Sequence, residues 1–313
     1  MSQPRRTSVD VGYPYPVTAE LAVVTVTYSS GRHLSTFLES LAKATSAPPP
    51  RVVIADNGST DGAPETAARE HDNVTLVHTG GNIGYGGGIN RAVAELDPSV
   101  EFIAVANPDV EWSPGSLDEL LAAARRWPRA GSLGPLIREP DGSVYPSARR
   151  VPDLISGAGH AVFGSIWKSN PWTTAYRADN AEPSERSVGW LSGSCLLVRR
   201  AAFDSVQGFD SRYFMYMEDV DLGDRLGRAG WLNVYVPGAE VVHTKGHAAG
   251  RDPDAMLPAH HRSAYRFQAD RHPGVLQAPV RLALRIGLAL RSRVAVIAAR
   301  RSGERHRGGS HDQ

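Results

Sequence analysis

The chain has 313 residues, 41% of them hydrophobic, enough for one large packed domain or one domain with an appendage. Its 34 Lys and Arg against 33 Asp and Glu leave a formal net charge of +1, which argues against a whole-chain nucleic-acid binder. The single cysteine, Cys195, rules out an internal disulfide and a cysteine-rich zinc site and fits a reducing cytoplasm. No run of about eighteen uncharged apolar residues is present, so no membrane-spanning helix is expected.

Residues 1–20 include Arg5 and Arg6 with no apolar core behind them and read as a flexible polar arm rather than a signal peptide. Residues 21–28 are a continuous β-branched run, the pattern of a strand buried on both faces. A helix over 32–44 follows, ended by Pro48, Pro49 and Pro50, and 51–55 is a second buried strand. The loop from Asp56 to Gly62 opens another helix, 74–77 is a short strand, and the glycine-rich turn 80–88 leads into a helix reaching about Leu96. Residues 101–106 form a fourth strand, stopped by Asn107-Pro108-Asp109. Strands alternating with helices imply right-handed crossovers and a mostly parallel sheet, with ligands at the carboxyl ends of the strands.

The second half is less regular. Segment 139–188 is rich in Pro, Gly, Ser and Arg, with Trp167, Trp172 and Tyr176 scattered through it, and reads as a long excursion. Strand character returns over 190–198, Gly208-Phe209-Asp210 is a turn, 219–229 is a helix, and 234–236 and 240–243 are short strands. A C-terminal helical region spans 251–301, and 302–313 reads as a disordered tail.

The chemistry-bearing residues fall at strand ends and helix starts. Asp56 either belongs to a helix-capping loop with Ser59 and Asp61 or accepts the imide N–H of a uracil or thymine ring. The turn 80–90 resembles a phosphate loop, yet no Gly-Lys-Ser/Thr follows, and the first strand does not lead into G-x-G-x-x-G. These absences argue against a P-loop and a nicotinamide site. Asn107-Pro108-Asp109 is either an Asx-Pro turn or a carboxylate placed for a diphosphate and its divalent ion. In 213–222, Glu218, Asp219 and Asp221 lie among large apolar residues. They suit a helix N-terminus, and equally a general base whose pKa the apolar surroundings raise. His243 at a strand end, with His247 four residues on, is a structural histidine or a metal ligand beside Asp109. Cys195 has no base partner in sequence and reads as core.

Taken together, residues 21–247 resemble the family-2 inverting glycosyltransferases of GT-A fold. The matching stretches are 26–30, 56–62, 81–90, 107–109, 193–200 and 208–222, in that order. The resemblance implies an α/β, Rossmann-like and mostly parallel sheet over 21–250, with a nucleotide-sugar half at about 21–110 and an acceptor half at about 111–250. It places Thr27, Tyr28, Ser29, Asp56, Asn57, Ser59, Asp61, Gly81, Asn82, Gly84, Asn90, Asn107 and Asp109 at the donor. Gly193, Ser194 and Glu218 fall at the acceptor, Asp219 is the general base, and Asp109 with His243 would hold a divalent cation, Mg2+ or Mn2+. Asn107 stands where the usual D-x-D has its first acid, so the metal site has one charge fewer.

Within the family the chain is similar to bacterial rhamnosyltransferases that use dTDP-L-rhamnose, especially actinobacterial ones acting on an N-acetylglucosaminyl-diphospho-polyprenol. That likeness implies a nucleotide-sugar donor and a polyprenyl-diphosphate-linked sugar acceptor. It also implies a cytoplasmic protein, peripheral on the inner face of the plasma membrane. The arginines of 280–301, among them Arg281, Arg285, Arg291, Arg293, Arg300 and Arg301, belong either to a helix packed on the domain or to one lying on an anionic membrane surface. A nucleotidyltransferase is disfavoured, because Ser29-Ser30-Gly31-Arg32 is too sparse to hold a triphosphate. A non-catalytic sugar-binding module would have no need for Asp219 together with Asp109.

Overall fold

A computed structural model describes residues 21–152, 183–244 and 253–308. The expected arm at 1–20, most of the excursion with Trp167, Trp172 and Tyr176, His247, and residues 309–313 lie outside the described residues.

The first half follows the strand–helix alternation. Strand β1 (Leu21–Thr27) leads to helix α1 (Arg32–Leu41), β2 (Arg51–Asp56) to α2 (Ala63–Glu70), and β3 (Val74–His78) to α3 (Tyr85–Val93). Then come β4 (Phe102–Ala106), β5 (Val110–Trp112), α4 (Ser116–Arg126) and β6 (Ala130–Arg138). Short strands β7 (Val144–Tyr145), β8 (Ala148–Arg149), β9 (Arg186–Val188) and β10 (Trp190–Leu191) precede β11 (Cys195–Arg199) and α5 (Arg200–Ser205). Helix α6 (Glu218–Arg228), β12 (Leu232–His243), α7 (Pro253–Arg271), a 3-10 turn (Val275–Gln277) and α8 (Ala278–Gly308) complete the described chain.

The main sheet runs β3-β2-β1-β4-β11-β6-β12-β5. Its first four strands are parallel, β11 enters antiparallel between β4 and β6, and β12 pairs parallel with β6. Strand β1 is buried on both faces because its alternate side chains serve two cores. Val23 packs with Leu34 and Phe37 of α1 and Leu120 of α4, whereas Ala22 and Val24 pack with Ile89 of α3 and Leu226 of α6.

Several boundaries differ from the pattern for local reasons. Helix α1 stops at Leu41, and the carbonyls of Lys43 and Ala44 accept the N–H groups of Gly115 and Leu117 at the start of α4. The strand expected over 190–198 is two strands, parted by Ser192-Gly193-Ser194. The two short strands expected over 234–243 are one, with a register shift between Val236 and Glu240 where Pro237 lacks an N–H. Residues 110–138, to which the sequence pattern assigned no element, form β5, α4 and β6. Glycines mask β6: a Cβ at Gly131 would lie 2.7 Å from Trp231 Cβ, and one at Gly134 would lie 2.9 Å from Leu191.

Helix α7 packs on β10 and the segment around α6. Phe267 packs in one cluster with Trp190, Tyr213 and Val220, and Ser263 Oγ donates to the Met215 carbonyl at 2.9 Å. Arg271 pairs with Asp224 of α6. Helix α8 continues past the expected boundary at 301 to Gly308.

Candidate active site

The carboxyl ends of β1, β2 and β4 open onto one cavity of about 480 Å3, closed from the other side by the 192–194 turn and the segment leading into α6. Asp56 ends β2 with a buried carboxylate that accepts Thr27 Oγ1 at 3.0 Å, Ser59 N–H at 3.0 Å and Gly58 N–H at 3.3 Å. Burial pushes its pKa up, but the bonds from Ser59, Thr27 and Gly58 outweigh burial, and the net shift is downward. Asp56 therefore stays an anion, able to accept one more N–H. The loop around it is tied to β1, with Ser59 Oγ accepting Ser29 N–H at 2.8 Å and Asp61 accepting Gly31 N–H at 2.7 Å.

Asn57 and Asn82 line the cavity and are cross-linked. Asn57 Nδ2 donates to Asn82 Oδ1 at 3.3 Å and to the Gly84 carbonyl at 3.1 Å. Gly84 has a φ of 82°, and a Cβ there would collide with the Phe214 carbonyl. That carbonyl accepts Tyr85 N–H at 3.1 Å, so the glycine-rich turn is locked against the segment preceding α6.

At the end of β4, Asn107 N–H donates to the Ser194 carbonyl at 2.9 Å. β5 and β12 then bring His243 opposite Val110. Nε2 of His243 lies 3.1 Å from Asp109 Oδ1 and 3.3 Å from Asn107 Nδ2, while its Nδ1 is buried without a partner among the described residues. One ring nitrogen cannot both donate to the carboxylate and accept from the amide. With the amide turned, an amide oxygen, a carboxylate oxygen and an imidazole nitrogen converge as a donor set for a divalent cation. A second group, Asp56, Glu65 and His78, has ligand atoms within 4.8 Å of one another and could also hold a metal ion. There the other two residues are exposed side chains, whereas Asp109 and His243 meet inside the cavity, which favours the Asp109 group for a cation.

Asp219 lies in the first turn of α6, behind two consecutive left-handed residues, Tyr216 (φ 66°) and Met217 (φ 68°). Such backbone is strained for non-glycine residues and is held here by the packing of α7. Gly193 N–H donates to Asp219 Oδ2 at 2.9 Å, and Val220 N–H to Oδ1 at 2.8 Å. Tyr85 O–H donates to the Gly193 carbonyl at 2.7 Å and fixes the same turn. Burial raises the pKa of Asp219 despite those bonds. Glu218 is buried with Oε2 unpartnered among the described residues, and burial followed by the neighbouring Asp219 charge pushes its pKa up to about 8. An ordinary glutamate binds no proton at pH 7, so the folded chain holds one that the unfolded chain releases. Stability linked to Glu218 is thus fully present below the ordinary glutamate range and is lost as pH rises through about 8. The Glu218→Gln variant should show a melting temperature that falls less than that of the parent between pH 5 and pH 9. Parallel melting profiles would contradict this assignment.

Of the expected site residues, Tyr28, Asn57, Asn82, Asn107, Asp109, Gly193, Ser194, Glu218, Asp219 and His243 all line the cavity. Asp56 is not among the residues that line the cavity; Thr27, Ser29, Ser59 and Asp61 hold it and its loop beside Asn57, which does line it. Asn90 departs from the expectation. Its Nδ2 donates to the Phe209 carbonyl at 2.7 Å and its Oδ1 accepts Phe209 N–H at 3.0 Å, so both ends of the amide serve the fold. Cys195 is buried, and burial pushes its thiol far up, as suits a core residue. The sequence reading missed Tyr85, Tyr145, Arg149 and Trp190, which also line the cavity. The one signal for Tyr85 is an aromatic residue inside a glycine run, and Arg149 lies in a segment without periodicity.

Comparison with known proteins agrees with this geometry. The model of the family "Glycosyl transferase family 2" matches residues 22–206, and that of "Glycosyltransferase like family 2" matches 165–265. The N-acetylglucosaminyl-diphospho-decaprenol L-rhamnosyltransferase of Mycobacterium tuberculosis is 60% identical over 300 residues, covering 93% of this chain and 97% of that protein. Among solved structures, GalNAc-T7 with UDP, GalNAc and Mn2+ superposes with a TM-score of 0.53 at 16% identity, over 73% of this chain and 43% of that one. Staphylococcus aureus TarS 1-349 does so with a TM-score of 0.52 at 16% identity, over 78% and 64%. At such identity the two superpositions establish the GT-A fold alone. The family match and the mycobacterial relative establish more: the chain belongs to glycosyltransferase family 2 and is a glycosyltransferase.

Proposed function

We propose that the enzyme transfers L-rhamnose from dTDP-L-rhamnose to N-acetylglucosaminyl-diphospho-polyprenol, with inversion, in the synthesis of the cell-wall (arabinogalactan) linker. The likeness to the mycobacterial L-rhamnosyltransferase supports the donor and the acceptor. The chemistry is carried by one observation: a carboxylate, Asp219, aimed into the same cavity as the Asn107, Asp109 and His243 group.

Asp56 accepts the imide N–H of thymine, and Asn57 and Asn82 line the path from base to diphosphate. Asp219 takes the proton of the acceptor hydroxyl while that oxygen bonds to the anomeric carbon. The bond from that carbon to the diphosphate oxygen breaks on the opposite face, dTDP leaves, and the configuration inverts. Glu218 orients the acceptor hydroxyl. Asp109 and His243, with Asn107, would hold Mg2+ or Mn2+, which supplies positive charge to the leaving diphosphate.

The test is incubation with a panel of nucleotide-sugars and a short-chain N-acetylglucosaminyl-diphospho-polyprenol. The expected product is the rhamnosylated lipid with dTDP released and the anomeric configuration inverted. Transfer from a different donor, with none from dTDP-L-rhamnose, would overturn the reading.

An enzyme meeting this acceptor works at a membrane, and we place it peripherally on the inner face, in contact through the C-terminal helix. Among the described residues no helix is long and apolar enough to cross a membrane. Helix α8 presents Leu282, Ile286 and Leu290 outward, one helical turn apart, after the exposed Val275 and Leu276 of the 3-10 turn. Arg285 and Arg293 are exposed beside that stripe. Arg281 has another role: its Nη1 donates to the carbonyls of His272 and Gly274 and ties the start of α8 to the end of α7. Changing Leu282, Ile286 and Leu290 together to Glu should lower partition onto phosphatidylglycerol vesicles by about tenfold or more. Unchanged sedimentation with vesicles would remove this contact.

A further inference from the structure

Asp109 and Asp219 both line the cavity, and their charges repel an anionic acceptor. Arg149 and Arg150 face them from the same cavity wall. Strand β8 pairs with β10 so that Arg149 lies opposite Trp190, and β10 runs directly into the turn whose Gly193 N–H holds Asp219. Arg149 is thereby carried on the strand pair that also sets the base.

The Arg149 side chain is fixed without an acid. Its guanidinium carbon lies 5.5 Å from the Tyr145 ring centre and 5.6 Å from that of Trp190, and its Nε donates to the Pro146 carbonyl at 2.7 Å. Among the described residues neither Arg149 nor Arg150 forms an ion pair with a carboxylate, although Arg149 is close enough to Asp219 for its charge to be felt there. A guanidinium held against two aromatic rings is preorganised for a phosphate, to which it can donate two parallel bonds.

We infer that Arg149, supported by Arg150, binds the diphosphate of the acceptor lipid, so that the enzyme recognises its acceptor by the charged linkage as well as by the sugar. This rests on the reading of the acceptor as a lipid diphosphate. The donor diphosphate belongs to a different set of side chains, at 107–109 and 243. The aromatic pair holds the guanidinium in place, so little conformational freedom is lost when the phosphates arrive.

The experiment compares the parent enzyme with Arg149→Gln, Arg149→Lys and Arg150→Gln on two acceptors of equal chain length. One carries the diphosphate; the other is a neutral alkyl glycoside of N-acetylglucosamine. Arg149→Gln should raise KM for the diphosphate acceptor by about 10- to 100-fold. Any change in turnover that follows from the loss of its charge near Asp219 should be common to both acceptors, so the diphosphate acceptor should lose more than the neutral glycoside by that factor. Arg149→Lys should recover part of the loss, and Arg150→Gln should show a smaller one. An equal loss on both acceptors would make Arg149 a counter-charge for Asp219 or a packing residue and would overturn the inference, as would an unchanged KM. Calorimetric binding of farnesyl diphosphate in the presence of dTDP supplies an arm independent of turnover. If the parent binds this probe and Arg149→Gln does not, while no N-acetylglucosamine acceptor is rhamnosylated, the proposed function fails and the diphosphate site stands.

Discussion

Replacing Asp219 with Asn should lower kcat by about 10²- to 10⁴-fold, the usual contribution of a positioned general base, and leave the affinity for dTDP-L-rhamnose unchanged. The two backbone bonds to Asp219 make the expectation specific. Each carboxylate oxygen accepts one N–H, from Gly193 and from Val220, which leaves the remaining lone pairs facing the cavity. An asparagine has a single oxygen, so one of those N–H groups would meet an amide NH2. The cost is about 1–3 kcal/mol of stability, visible as a lower melting temperature but too small to unfold a domain of this size. Donor binding, measured by calorimetry on the same preparation, separates lost chemistry from lost folding. Substantial residual transfer would assign the base elsewhere, with Glu218 the first alternative.

The pH profile of the parent enzyme carries the same assignment. Burial raises both Glu218 and Asp219, and the Asp219 charge adds to the rise at Glu218, so Asp219 gives up its proton first. Transfer needs Asp219 ionised, so kcat should rise with pH through a range above that of an ordinary carboxylate. Glu218 keeps its proton up to about 8 and is neutral where Asp219 ionises, so Glu218→Gln should leave that rise in place.

The parts of the fold legible in the sequence are those where one physical signal dominates. Strand β1 can be read because Leu21–Thr27 is apolar on both faces, and the 56–62 loop because a buried strand ends abruptly in Asp, Asn, Gly and Ser. Strand β6 hides because its interior glycines and Pro135 dilute the β signal, while the structure needs the missing side chains so that Trp231 and Leu191 can pack against the strand. The site divides in the same way. Asp56, Asp109 and Asp219 sit in dense local motifs at element ends, where the neighbouring residue types announce the geometry. Tyr85 and Arg149 act across 108 residues to Gly193 and across 41 to Trp190, and no local spacing encodes such contacts. Asn90 lies within a legible motif, and its amide completes the backbone of Phe209, a contact the motif does not encode.

The divalent-ion group offers the second large effect. Asp109→Ala should weaken Mn2+-dependent binding of dTDP by about 10- to 100-fold and reduce kcat/KM by about 10²- to 10³-fold, since a charge stabiliser at the leaving group is lost. His243→Gln should follow with a smaller loss. The group has one carboxylate where a hard cation would favour two, and Asn107 supplies only a neutral amide within 3.3 Å of the His243 ring nitrogen. Asn107→Asp should therefore tighten Mn2+ binding rather than weaken it, an outcome that a merely structural role for this turn does not produce. The competing group at Asp56 is tested in the same titration through its two exposed members. Glu65→Gln and His78→Gln should leave the Mn2+ isotherm unchanged, because the Asp56 carboxylate is held by Thr27, Gly58 and Ser59 and its two neighbours are exposed. If those two variants abolish ion binding and Asp109→Ala does not, the cation lies at the end of β2, and the 107–109 turn serves the diphosphate through hydrogen bonds alone.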